Sequence, residues 1–132
     1  MQDKKNDKDL AQRTKTFALR VIKMYSALPK ETVAQVLGKQ VLRSGTAVGA
    51  NYREANRARS KAEFVAKMGD CLKELDETAY WLELLVEGAV VPQSRLASLL
   101  DETNQLIAIF VTIIRRAKEM QNEEGKVQKQ RT

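Results

Sequence analysis

Three carboxylates, Asp70, Glu74 and Glu77, follow one another at steps of four and three residues in a segment with helical periodicity. This spacing puts them on one helix face, where carboxylates in a bundle can hold a metal ion or transfer protons. The chain has no histidine, so the Glu-x-x-His pattern of metal-binding bundles is absent. Solvated acidic faces are commoner than carboxylate sites, and we expect Glu74 to pair with Arg43 or Lys73 instead. The sequence therefore predicts no metal, no cofactor and no enzymatic activity.

The only cysteine, Cys71, lies on an apolar stripe between Met68 and Leu75. A nucleophilic thiolate needs a stabilising partner such as histidine, which this chain lacks. A lone cysteine also excludes an intrachain disulfide. Among apolar neighbours a free thiol behaves as a small hydrophobic group, so we expect Cys71 to belong to the core.

Positive charge is the clearest chemical signal. Lys plus Arg number 23 against 17 Asp plus Glu, a net charge of +6 that favours polyanionic partners. The basic residues cluster after the second predicted helix and at the end of the fourth, and in an antiparallel bundle these ends share one pole. There they would neutralise phosphates of RNA or DNA, while the scarcity of aromatic residues argues against base stacking. The candidate nucleic-acid-binding residues are Arg53, Arg57, Arg59, Lys61, Lys67, Arg115 and Arg116. An alternative is that these are exposed charges paired with Glu54 and Glu63.

The elements that carry these residues are predicted to be helices throughout, because Gly and Pro are scarce and strand-like alternation is absent. The first helix has apolar residues at steps of four and three, and Pro29 ends it. The second begins near Glu31. The third begins at Ser60, where Ser60 and Glu63 form a capping box in which the carboxylate is expected to reach back to the cap amide.

The third helix has the most regular apolar seam, which runs from Phe64 to Leu85, with Gly88 as the expected C-cap. Pro92 suits the first turn of a fourth helix. The apolar face of that helix is wide, which predicts burial on more than one side. Four helices with short links predict an all-α, antiparallel up-down-up-down four-helix bundle.

The bundle is expected to span residues 10–120, between segments of polar residues without apolar periodicity. Residues 1–9 and 121–132 are predicted to be disordered. No signal-peptide pattern and no run of about 18 apolar residues is found, which predicts a cytoplasmic protein without a membrane partner.

The second helix loses its large apolar residues as it proceeds, since Ser44 and Asn51 occupy stripe positions where Leu or Ile would be expected. Beside them, Gly45 and Gly49 form a G-x-x-x-G pattern that lowers helix propensity. We interpret these residues as a close-packed helix surface. Trp81 lies off the main seam of the third helix, which favours self-association, the alternative being a contact of Trp81 with the fourth helix.

Three motifs together resemble a known family. RSGTAVGANYREA at 43–55, SKAEF from Ser60 and KELDETAYWLELL at 73–85 are similar to the four-helix-bundle proteins encoded in intervening sequences of bacterial 23S ribosomal RNA. The resemblance covers about residues 10–120. The same family includes the accessory variability protein of diversity-generating retroelements, which works with a reverse transcriptase and its template RNA.

This resemblance implies a homopentamer arranged as a ring, basic in character, with nucleic-acid binding as the favoured role and no known catalysis or small-molecule substrate. A reverse transcriptase is a further partner that it implies. The positions that match the motifs are Arg43, Ser44, Asn51, Glu54, Ser60, Phe64, Glu74 and Glu77. Many members have a small hydroxyl residue where this chain has Ala47 and Cys71. The competing hypothesis is a scaffold that binds a partner protein and has no nucleic-acid role.

Overall fold

The structure, a computed structural model, describes residues 4–131 and their side chains over residues 9–127. It contains four helices, α1 (Lys4–Ser26), α2 (Thr32–Asn56), α3 (Lys61–Glu87) and α4 (Gln93–Arg131), and no strand within the described residues. Each helix packs on the next along the chain, and α1 meets α4 more loosely. The prediction of an all-α four-helix bundle is confirmed.

The apolar stripes predicted for the helices meet in one core. On α3 the whole seam from Phe64 to Leu85 is buried at its steps of four and three. Tyr52 of α2 crosses the core to Phe110 of α4, with ring centroids 6.0 Å apart and planes at 80°. Edge-to-face rings of this kind stabilise a core beyond the area they bury. The core therefore ties together helices that are not adjacent in sequence.

The glycines of α2 face α1 at very short range. A β-carbon on Gly45 would lie 2.8 Å from Cγ2 of Val21, and one on Gly38 would lie 2.4 Å from Cδ1 of Leu28. At Gly49 the nearest atom would be Oγ1 of Thr14, at 3.3 Å. This confirms the interpretation of the glycine stripe, since α1 approaches a surface of α2 that has no side chain.

The links between helices are short and hydrogen-bonded. α3 ends at the predicted Gly88, where the amides of Ala89 and Val90 donate to the carbonyls of Val86 and Leu85. This is the Schellman pattern, whose left-handed residue is usually glycine. Here that conformation falls on Ala89, with φ 58°, while Gly88 has φ −80°. Gly88 is therefore the C-cap, as predicted, but the left-handed conformation that usually requires glycine is adopted by the next residue, Ala89.

The first and last helices extend into the two terminal segments that the sequence predicts to be disordered. α1 begins at Lys4 rather than near residue 10, and α4 continues to Arg131 rather than ending near residue 120. Residues 1–3 and 132 lie outside the described residues. Residues 121–131 have no proline and are mostly Gln, Glu and Lys, which favour helix even without an apolar face. Lys61 of α3 also forms an ion pair with Glu124 of this extension.

α4 is long and apolar enough, by length and composition alone, to cross a membrane, with an 18-residue window of mean hydropathy 1.3. In this fold Leu99, Leu106 and Phe110 are buried in the core. Glu102 on the same helix accepts two hydrogen bonds from the guanidinium of Arg13, at 2.8 and 2.7 Å. These bonds are the chief cause of the lowered pKa of Glu102. Only 22% of the window is buried, and further apolar residues of α4 such as Leu100, Ile107 and Ile113 are partly buried against the core.

The close approach at Gly45 predicts an unusual outcome for Gly45→Ala. Helix propensity alone favours alanine by about 1 kcal/mol, but overpacking against the stiff Val21 side chain destabilises by about 1–3 kcal/mol. We expect a net loss of stability of about 1 kcal/mol, which lowers Tm by a few degrees in a thermal melt.

Gly69→Ala is the matched control, because a β-carbon on Gly69 of α3 would meet no atom within 4 Å. It should gain up to about 1 kcal/mol. In a Val21→Ala background Gly45→Ala should lose its penalty, because the two crowding methyl groups are gone. A gain in Tm for Gly45→Ala in the unaltered chain would contradict this account.

Candidate nucleic-acid interface

The link between α2 and α3 holds its basic residues in a fixed backbone. α2 ends at Asn56, and the amides of Arg57 and Ala58 donate back to carbonyls of its last turn at 3.1 Å. Ser60 is the N-cap of α3, with its hydroxyl accepting the Glu63 amide at 3.0 Å. The predicted capping box differs in one bond, because the Glu63 carboxylate accepts the amide of Arg59, at 3.0 Å, rather than that of the cap residue.

The arginines of this region project into solvent. Arg53, Arg57 and Arg59 are exposed, and none of them has an ion pair within the described residues. Arg53 and Arg57 are four residues apart, so they lie on one side of α2 and of its cap. These side chains are available to a phosphate without first breaking an internal salt bridge.

The two lysines of the predicted site are already paired. Lys61 contacts Glu124, and Lys67 donates to Glu54 at 3.0 Å. The hydrogen bond that Lys67 donates to Glu54 is the main cause of the raised pKa of Lys67. The predicted alternative of pairing with Glu54 or Glu63 therefore holds for Lys67, Lys61 is paired with a partner that was not predicted, and the three arginines fit the binding hypothesis.

Arg115 and Arg116 lie farther from this link than the sequence suggested. Glu124 is level with the first turn of α3, so Arg115 is about 13 Å nearer the middle of the bundle at 1.5 Å per residue. It borders a shallow depression with Leu72, near the middle of α3. The two basic groups are therefore offset along the bundle, because α4 is longer than predicted and its end lies beyond Arg116. Both arginines are exposed and have no ion pair among the described residues.

Two of the three carboxylates that could have held a metal, Glu74 and Glu77, are paired with one cation, while Asp70 is exposed. Arg43 donates from Nη1 to Glu74 and from Nη2 to Glu77, each at 3.0 Å. The hydrogen bond to Glu77 is the largest cause of the raised pKa of Arg43. No group of three or more potential metal-ligating side chains is present in the described part of the chain. The expected pairing of Glu74 with Arg43 is confirmed.

Ser44 on α2 meets Thr78 on α3 inside the core, with 2.7 Å between their hydroxyl oxygens. Each oxygen also lies 2.8–2.9 Å from a carbonyl of its own helix, that of Gln40 or of Glu74. Two hydroxyl protons serve these three contacts, so one hydroxyl donates to the other while the second donates to its carbonyl. The sequence placed both residues on seams but missed their pairing. The available signal was a small hydroxyl residue at a core position of each helix.

The remaining motif residues have structural positions. Gly45 and Gly49 face α1, Phe64 is buried, and Asn51 and Trp81 are half-buried. Most of the polar residues that match the motifs form contacts between or within the helices, namely Arg43, Ser44, Glu54, Ser60, Glu74 and Glu77. No bond is found for Asn51 or for the Trp81 indole among the described residues. The glycines therefore serve the α1–α2 contact, and the bonded residues serve mainly the α2–α3 pair.

Cys71 is buried, as expected, and burial raises the pKa of its thiol to about 12. At pH 8 only about one thiol in ten thousand would be ionised. We therefore expect Cys71 not to react with iodoacetamide at pH 8 in the folded protein, as measured by mass spectrometry. The same protein in guanidinium chloride should be fully alkylated. Rapid alkylation under native conditions would contradict the buried position.

Comparison with known proteins gives one consistent family. The family described as 23S rRNA-intervening sequence protein matches residues 6–112. A crystal structure at 1.70 Å of a protein of unknown function from the S23 ribosomal protein family of Bacteroides thetaiotaomicron is 37% identical, with a TM-score of 0.77. The match covers 83% of this chain and 97% of that one. No curated protein matches this chain. The motifs, the four-helix fold and these two matches agree that the chain belongs to the 23S rRNA-intervening sequence protein family.

Proposed function

We propose that this chain is a non-enzymatic nucleic-acid-binding protein that assembles as a homopentamer and contacts RNA or DNA through phosphates. The observation that carries this proposal is a set of exposed arginines that have no ion pair with any described residue, namely Arg53, Arg57, Arg59, Arg115 and Arg116. The net charge of +6 also favours binding to a polyanion such as RNA or DNA. Its setting is the cytoplasm, in a ribosomal RNA-associated context or as an accessory to a reverse transcriptase.

Arginine suits phosphate contacts because its planar guanidinium donates two parallel hydrogen bonds and stays charged. The aromatic residues nearest the α2–α3 link, Tyr52 and Phe64, are buried, so they offer no stacking platform for a base. Binding that rests on phosphates alone is largely independent of sequence and falls steeply with salt.

Assembly is supported by apolar surface that the bundle does not cover. Leu19, Val33, Val36 and Tyr80 each have more than half of their surface exposed. The indole Nε1 of Trp81 is occluded yet has no hydrogen-bond acceptor among the described residues. An occluded donor without a partner destabilises the single chain by about 1–3 kcal/mol, so a rearrangement on assembly that brings an acceptor to this nitrogen would favour association. Several copies in one ring also multiply weak phosphate contacts into usable affinity.

The arginines of the link provide the first test. Replacing Arg57 and Arg59 by Gln removes two phosphate contacts per chain, so the plot of log affinity against log salt should become shallower by about 2 units for each chain that contacts duplex DNA. A filter-binding titration across several salt concentrations measures this slope. Lys61 is left unchanged because its charge is already paired with Glu124.

Lys15→Gln with Lys39→Gln is the matched control. Both lysines are exposed, have no ion pair within the described residues and lie on other parts of α1 and α2. The control loses the same charge and should keep the original salt slope. Equal slopes for the arginine variant and the unaltered protein would contradict the proposed surface.

The assembly has its own test. Sedimentation velocity should give a particle of about five times the 14.9 kDa chain mass. A species at the mass of one chain across the micromolar range would contradict self-association, and a different stable multiple would correct the pentamer.

A scaffold role without nucleic acid is the second candidate, favoured by the exposed apolar residues Val33 and Val36 near the start of α2. Protein partners bind such surfaces more readily than phosphates do. Protein purified at low salt and free of nucleic acid by its absorbance ratio, together with a flat salt dependence, would support the scaffold over the binding proposal.

A further inference from the structure

A cleft of about 410 Å³ lies between the second half of α1 and the start of α4, on the side of the bundle where these two helices pack most loosely. Its floor is apolar, formed by residues that include Met24, Leu28, Val91, Leu96 and Leu99. The volume falls in the range of sites that hold small organic ligands. The cleft is distant in sequence from the α2–α3 link and takes no part in the proposed phosphate surface.

All the charged residues that line the cleft are cations. Arg20 and Lys23 come from α1 and Arg95 from the first turn of α4. None of the three has an ion pair within the described residues. Three uncompensated cations beside an apolar floor create a positive potential that a ligand anion would relieve.

The guanidinium of Arg20 is held in place by one bond and keeps its other donors free. Nη2 donates to Oγ of Ser98 on α4 at 2.8 Å. The charge of Arg20 contributes to the lowered pKa of Glu102, but both oxygens of Glu102 accept from Arg13. The bond to Ser98 therefore leaves Arg20 with donors that a carboxylate can engage.

We propose that this cleft binds a small amphipathic carboxylate, with its apolar body on the floor and its carboxylate among Arg20, Lys23 and Arg95. Charge complementarity selects the anionic head, because no acidic side chain lines the cleft. The apolar floor selects the body, because a fully polar anion would leave the floor in water. This ligand is bound without being transformed, and the proposal does not depend on nucleic-acid binding.

Isothermal titration calorimetry on the full chain, in its own assembly state, tests the site with octanoate. A ligand of this size should bind with a Kd on the order of 1 mM. 1-Octanol has the same body without the charge and should bind about tenfold more weakly, since a charge-assisted hydrogen bond is lost. Acetate has the head without the body and should give no measurable heat.

Arg95→Gln should weaken octanoate binding about tenfold while leaving 1-octanol unchanged. Arg95 is exposed and makes no side-chain hydrogen bond or ion pair in the described structure, so the variant should fold normally. Lys23→Gln should also weaken octanoate binding and is an independent test of the same site. The protein with Lys15→Gln and Lys39→Gln is the charge-matched control. No heat from octanoate at 10 mM would overturn the proposal. Equal binding of octanoate and 1-octanol, or equal loss in the control, would overturn it as well.

Discussion

The bundle depends on how closely α2 can approach its two neighbours. On one side Gly38, Gly45 and Gly49 offer α1 a surface without side chains, and Val21 of α1 occupies the space that a β-carbon on Gly45 would take. On the other side Ser44 approaches Thr78 of α3 to 2.7 Å. Small residues on both sides lower the helix propensity of α2, so tertiary packing must stabilise it. α2 is thus the helix against which both α1 and α3 pack closely.

The contacts between α2 and α3 also set the register of the pair. Ser44 opposite Thr78 and Arg43 opposite Glu74 and Glu77 fix which turn of α2 faces which turn of α3. A slip by one turn would leave the buried hydroxyls and the guanidinium without these partners. The hydrogen-bonded link that follows α2 then places Arg57 and Arg59 in solvent. The packing of α2 on α3 in this way determines where Arg57 and Arg59 lie on the surface.

Most polar side chains between the helices are occupied with structural contacts. The carboxylates of Glu74, Glu77 and Glu102 accept from arginines, and burial keeps the Cys71 thiol protonated by raising its pKa to about 12. Cations without an ion pair among the described residues include two groups in separate places: the arginines of the α2–α3 link and of α4, and the cations at the rim of the α1–α4 cleft. Recognition of anions is the chemistry that such groups offer.

The sequence by itself determined the helices, their apolar seams and the family, because periodicity, proline positions and the capping residues are local signals along the chain. It also indicated the close packing of Gly45 and Gly49 and the pairing of Glu74 with Arg43. Only the tertiary structure decided that Lys61 and Lys67 are paired while the nearby arginines are not, and that Arg115 lies near the middle of the bundle. It alone brought Arg20, Lys23 and Arg95 around one cleft. These outcomes depend on contacts between different helices, such as Lys67 with Glu54 and Lys61 with Glu124, and on the spacing between α1 and α4, none of which leaves a periodic signal in the sequence.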